Sequence, residues 1–232
     1  MRELKALGPG KVNSASLRDQ AVKLIKNAIL KGEIPPGEVI SNEQLSAWLG
    51  ISRTPIREAL LELQKGGMVT IHRGKGTEIA RLSRQDVIEI FEMREALEVK
   101  SCELAIVRMD QATLDALESI VRMQARDAER GDELAFLKSD HEFHLLLARR
   151  SGNGRLYNAI EGLREQFMLI STYALSKENR MQEVLGEHRD IMRALRSGDP
   201  ALVRNVVLAH LQTTRADVLA VLPDLPTTQD AK

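Results

Sequence analysis

The chain has 232 residues, 43% of them hydrophobic and 3% aromatic, with one cysteine and 33 basic against 33 acidic side chains. That is apolar material for one large core or two modest ones. It contains no run approaching the roughly 20 apolar residues of a membrane helix, and Cys102 alone excludes an intrachain disulfide.

The zero net charge is an average over unlike halves. Residues 1–81 carry 13 Lys and Arg against 8 Asp and Glu, whereas residues 82–232 carry 20 against 25. A basic first third on an acidic remainder suits a nucleic-acid-reading head on a body that avoids DNA. The first ten residues lack the apolar stretch of a secretory signal, so a cytoplasmic location is expected.

Residues 1–15 show no periodicity and are expected to be a flexible arm. Leu17, Ala21, Leu24, Ile25 and Ala28 then form an apolar stripe at helical spacing, which predicts a helix over 17–31. Gly32 ends it, and Ile34-Pro35-Pro36-Gly37 reads as a turn. Ser41 with Gln44 has the form of a capping box, opening a short helix that Gly50 closes. A third helix is predicted over 53–65, with Pro55 in its first turn and Gly66-Gly67 as its stop. Val69-Thr70-Ile71 and Thr77-Glu78-Ile79 flank His72-Arg73-Gly74-Lys75-Gly76, which predicts a hairpin with a basic, glycine-rich tip.

Beyond Ala80 the strand signals disappear. Ser83 with Asp86, then Asp110, Asp132, Asn153 and Asp199, read as helix caps or turn residues. Six helices are expected, at about 84–108, 111–130, 133–150, 155–175, 178–197 and 200–221. The chain therefore divides into an arm (1–15), a head (16–81), a helical body (82–222) and a tail (223–232). The fold class is mainly α: an N-terminal winged helix-turn-helix with a C-terminal all-α bundle.

Two short helices, a tight link and a basic hairpin have a direct physical use. The second helix of such a pair fits the major groove, and its early residues reach base edges. Here these are Arg53, Thr54 and Arg57, while Ile56, Ala59 and Leu63 turn to the core. Arg73 and Lys75 at the hairpin tip are placed for phosphate or the minor groove, and Gly74 and Gly76 permit a tight turn. The run Leu45-Ser-Ala-Trp-Leu-Gly-Ile-Ser-Arg-Thr-Pro-Ile-Arg-Glu-Ala-Leu60, continued through Gly67-Met-Val to the glycine wing, resembles the recognition segment of the GntR superfamily of bacterial regulators. The resemblance implies DNA contacts for Arg53, Thr54 and Arg57 and a wing near Gly76 in the minor groove. It also implies a homodimer on a near-palindromic double-stranded operator, with repression as the usual sign.

In the body, several polar residues fall on apolar stripes. Asp140 and His144 share the face of Phe136, Leu137, Phe143 and Leu147. His188 lies among Val184, Ile191, Met192 and Leu195, and His210 among Val203, Val207, Leu211, Thr214 and Val218. An inward carboxylate is costly unless paired or bound to a cation. One such histidine alone reads as a core residue bonded to the backbone, but three with an Asp point to a shared divalent metal, Zn, Ni or similar. Arg94 is also inward, on the stripe of Val87, Ile90, Leu97 and Ser101. Its partner is either Glu98, one turn on, or the carboxylate of a ligand.

Asp140-His-Glu-Phe-His144, Ser151-Gly-Asn153, Glu187-His188 and His210 resemble, in order and spacing, the FCD ligand-binding domain of the FadR-type branch of these regulators. Six body helices place the chain nearer the shorter, VanR-like group. The resemblance implies metal ligands at Asp140, His144, His188 and His210 and a small carboxylate effector, for which Arg94 is the candidate anchor. Three readings follow: a regulator answering to an organic acid, a regulator for which the metal is the signal, and a metal-dependent phosphohydrolase built on His188-Arg-Asp190. The absence of a second His-Asp pair argues against the third.

Overall fold

The computed structural model describes residues 16–175 and 177–222, the side chains of 172 and 173 excepted; the expected arm and tail lie outside the described residues. Helix α1 (Leu17–Leu30) starts at Ser16, whose hydroxyl accepts from the Asp19 N–H while the Asp19 carboxylate accepts from the Ser16 N–H. Ser41 and Gln44 make the same reciprocal pair at α2 (Asn42–Leu49), and Gly50, left-handed at φ 65°, closes it. Helix α3 (Arg53–Lys65) follows after two residues. Its cap residue, Ser52, makes no side-chain capping bond.

Strands β1 (Val39–Ile40), β2 (Val69–His72) and β3 (Gly76–Ile79) form an antiparallel sheet in the order β1-β3-β2. The β2–β3 hairpin is the expected wing. Strand β1 was not expected, because two residues are too short to carry an alternation pattern. It explains Gly76, whose φ is 107° and on which a Cβ would stand 3.0 Å from the Ile40 carbonyl oxygen. Gly76→Ala is therefore expected to cost about 1–3 kcal/mol, read as a lowered thermal midpoint, with the hairpin the first segment to lose hydrogen-exchange protection.

The body has six helices: α4 (Arg84–Ile106), α5 (Gln111–Arg130), α6 (Glu133–Arg150), α7 (Gly154–Leu175), α8 (Arg180–Ser197) and α9 (Pro200–Val221). Their caps are those anticipated. Side-chain oxygens of Ser83, Asp110, Asp132, Asn153 and Asp199 accept first-turn N–H groups. Helix α4 ends two residues early and α8 begins two late, at Arg180. The core draws on every body helix, with Phe91, Leu117, Phe143, Phe167, Ile191 and Leu211 buried. Among the described residues, no helix is long and apolar enough to cross a membrane.

Head and body are not separate beads. Met168 of α7 is buried within the head's own apolar cluster, beside residues of α1 and α3, and Leu134 and Leu169 pack against the same cluster. A half-buried ion pair joins Lys26 of α1 to Glu165 of α7 at 2.6 Å. Gly66 and Gly67, which end α3, abut Glu165 and Gln166: a Cβ on Gly67 would meet the Gln166 side chain at 2.7 Å.

Candidate metal centre and nucleic-acid interface

On the head, Arg53, Thr54 and Arg57 are exposed at the start of α3, while Ile56, Ala59 and Leu63 are buried beneath them against Leu45. The uncapped first turn leaves its N–H groups without a side-chain acceptor, which favours an incoming phosphate. Arg53 Nη1 lies 2.7 Å from a Glu43 oxygen, an exposed pair that a base or phosphate contact must displace or share. Arg73 and Lys75 are exposed at the wing tip. His72 at its base meets Glu78 at 2.9 Å.

In the body, helical spacing and burial bring Asp140, His144, His188 and His210 into one place. Each offers a ligand atom, and these atoms all lie within 4.8 Å of one another. All four residues are buried, His188 completely. Asp140 Oδ1 lies 3.4 Å from His188 Nε2 and 3.9 Å from His144 Nε2. Both of those ring nitrogens are buried without a hydrogen-bond partner. Their other nitrogens are taken: His144 Nδ1 by Glu98 at 2.7 Å and His188 Nδ1 by Gln124 at 2.9 Å. His210 Nδ1 is held by Glu187 at 2.5 Å. Phe143 stacks on the His188 ring at 4.4 Å between centroids. An imidazole whose Nδ1 is held from behind and whose Nε2 points into a shared space is the arrangement of a metal-ligating histidine.

The electrostatics fit the same donor set. Burial disfavours the Asp140 carboxylate, but Arg164 and the surrounding histidines outweigh it and hold the group below the usual carboxylate range. Burial, reinforced by Arg164 and opposed by Glu98, pushes His144 down to about 4. Burial, followed by the neighbouring His210, holds His188 well below its ordinary value. An ionised carboxylate with neutral imidazoles is what a divalent ion on nitrogen and oxygen ligands requires. These shifts also set an acid sensitivity. The unfolded chain takes up a proton on His144 near pH 6.5 and the folded chain only near 4, so stability present above 6.5 is lost as the pH falls through that window. Urea midpoints measured with chelator at pH 7.5 and pH 5 are expected to fall, and His144→Gln should flatten the decline.

Arg94 has the internal partner that the spacing allowed: Glu98 lies 2.7 Å from its Nε. The guanidinium carbon also lies 4.8 Å from the Phe91 ring centre and 4.3 Å from that of Phe167, two rings that meet edge to face. Its Nη1 is buried with no partner. Arg94 lines a cavity of about 20 Å³ together with Asp140, Arg180 and His210, walled by Phe136 and Phe167. Arg180 donates from its two terminal nitrogens to Glu187 and Thr214 and forms an ion pair with Asp217 at 2.8 Å.

The sequence reading missed what stands behind the ligands: Gln124, Arg164 and Arg180, and the roles of Glu98 and Glu187. Each is buried or half-buried and polar on an inward stripe, which is the signal that exposed Asp140. His141 turns away from the centre, 3.7 Å from Glu165. Asp190, the acid of the His188-Arg-Asp190 run, is exposed and pairs with Arg193, so the phosphohydrolase reading loses its second ligand.

Comparison with known proteins identifies both parts of the chain. The family model for bacterial regulatory proteins of the gntR family matches residues 17–79, and that for the FCD domain matches 89–213. The HTH-type transcriptional regulator YdhC of Bacillus subtilis is 31% identical over 187 residues, which is 80% of this chain and 84% of the relative. The HTH-type transcriptional repressor RspR of Escherichia coli is 24% identical over 84% of this chain and 86% of its own length. The solved structure of E. coli McbR/YncC shares the fold, with a TM-score of 0.77 at 23% identity over 88% of this chain and 98% of that one. The chain belongs to the GntR family, with an FCD domain as its body, and is a DNA-binding transcription regulator rather than an enzyme.

Proposed function

We propose that the protein represses transcription as a homodimer on a near-palindromic operator, and that a divalent metal and a small carboxylate effector in the body set its affinity for DNA. One observation carries the reading: three imidazoles held at Nδ1 by Glu98, Gln124 and Glu187 converge with Asp140, their ligand atoms within 4.8 Å. The repressor sign is supported by RspR, a relative named as a repressor. The proposed division is a DNA-reading head at 16–81 and an effector-binding, dimerising body at 82–222.

Asp140, His144, His188 and His210 would hold a divalent ion, Zn or Ni among the candidates, and its positive charge would attract a ligand oxygen. The chain's own residues orient and enclose that ligand. Arg94 offers its unpartnered Nη1 to a carboxylate, and Phe91 and Phe167 pack against its guanidinium. On the head, Arg53, Thr54 and Arg57 read base edges, while Arg73, Lys75 and Gly76 follow the backbone or the minor groove.

A cavity of about 20 Å³ holds a water or two, and pockets for organic ligands run to about 300–1,000 Å³. An effector must therefore open the cavity, and it shifts the protein by its differential affinity for the open and closed forms. The same small cavity favours a second reading, in which the metal alone is the signal. Operator affinity measured by fluorescence anisotropy, with chelator, with Zn or Ni, and with a panel of carboxylic acids, separates the two. The effector reading expects an acid to change affinity by about 5-fold or more only when metal is present. A change with metal and none with any acid leaves the metal-sensing reading, and no change with either removes both.

A further inference from the structure

Helix α7 touches both ends of the molecule through neighbouring residues. Arg164 is 1% exposed and turns inward, donating from Nη2 to Asp140 Oδ2 and lying 3.5 Å from Glu98 through Nη1. Glu165, the next residue, is rotated about 100° around the helix and turns to the head. Its Oε2 accepts from Lys26 Nζ at 2.6 Å. Helix α6 repeats the division one residue apart. Asp140 faces the histidines, while His141 lies 3.7 Å from Glu165.

One turn beyond Arg164, Met168 enters the head's apolar cluster, and the C-terminal glycines of α3 rest on Glu165 and Gln166. The recognition helix is thus seated on the segment of α7 that holds a candidate metal ligand. Asp140 makes the connection two-sided: Oδ1 faces His144 and His188, and Oδ2 holds Arg164.

We propose that Arg164 and Glu165 are positioning residues of the regulatory response. Arg164 registers how the Asp140 charge is shared, and Glu165, through Lys26, sets where the recognition helix sits on the body. A demand on Oδ1 from the histidine side weakens the hold of Oδ2 on Arg164. Because Arg164, Glu165 and Met168 lie within about one turn of the same continuous helix, a shift at Arg164 is carried to Glu165 and Met168. Lys26–Glu165 as static glue predicts the same contacts but no dependence of head position on the centre. This inference rests on the reading that the body controls DNA affinity.

The test uses the full chain and a duplex selected by the wild-type protein from a randomised library. The first readout is the ratio of operator Kd with chelator to that with Zn²⁺. The second is hydrogen exchange of α1 and α3 with and without Zn²⁺, and the third is the Zn²⁺ affinity of the free protein. For the wild type, the expected ratio differs from one by about 5-fold or more, and Zn²⁺ alters exchange in α1 and α3. Glu165→Gln should bring the ratio to within about 2-fold of one, with Zn²⁺ affinity changed by less than about 10-fold. Lys26→Arg should keep the wild-type ratio, and Lys26→Met reads the same contact from the head side if Glu165→Gln folds poorly. A wild-type ratio retained in Glu165→Gln and Lys26→Met, or exchange changes confined to the body, overturns the inference alone. A wild type that binds Zn²⁺ with no change in operator affinity overturns this inference and the metal-sensing reading, and no change with any acid of the panel as well removes the effector reading too.

Discussion

Asp140→Ala is expected to lose about 3–5 kcal/mol of folding stability in the presence of chelator. The reason is Arg164. Its guanidinium is 1% exposed, its close partner is Asp140, and Glu98 stands farther off at 3.5 Å. Removing the carboxylate leaves a buried cation with a long contact to a Glu that Arg94 and His144 already share. Asp140→Asn keeps the shape and one acceptor, so it should lose less. Urea unfolding at pH 7.5 with chelator measures both. Adding Zn²⁺ should raise the wild-type midpoint as ligand binding does and leave that of Asp140→Ala unmoved. Equal stability of the alanine and asparagine variants would show that the Arg164 charge is not what Asp140 holds.

The second large effect lies on the head. Arg53→Ala and Arg57→Ala should each relax discrimination at one base position by about 1–3 kcal/mol. A dimer carries each change twice, so the loss on a symmetric operator is about 2–6 kcal/mol. Arg73→Ala and Lys75→Ala should instead weaken binding to all sequences alike and lower the salt slope by about one each. Anisotropy titrations of single-base operator variants at several salt concentrations distinguish the two patterns. Uniform weakening by Arg57→Ala would reassign that residue to the phosphates.

What could be read in the chain depended on whether its signal was local. Helix ends were legible where a start carries its own acceptor, at Ser41, Ser83, Asp110, Asp132 and Asp199, and where Gly50 takes a left-handed stop. Asp140, His144, His188 and His210 were legible because each interrupts an apolar stripe on its own helix. Gln124, Glu98 and Glu187 interrupt stripes too, but their roles depend on which ring nitrogen on another helix they face. That is a matter of packing, not spacing. Arg94 offered two partners, and the structure supplies Glu98 while leaving Nη1 unpartnered. Strand β1 escaped because its pairing with β3 comes from residues nearly forty positions away.

Met168 had no distinguishing signal. It reads as one more apolar residue of a body helix, yet it is buried in the head's cluster and Leu134 and Leu169 pack beside it. The chain can therefore be cut at the 80–84 link on paper more cleanly than in practice. A chimera that joins this head to another regulator's body inherits a socket shaped for Met168 and a lysine shaped for Glu165. Transplanting the DNA specificity of this protein means carrying the matching surface of α7 along with residues 16–81, so the unit of exchange is discontinuous in sequence.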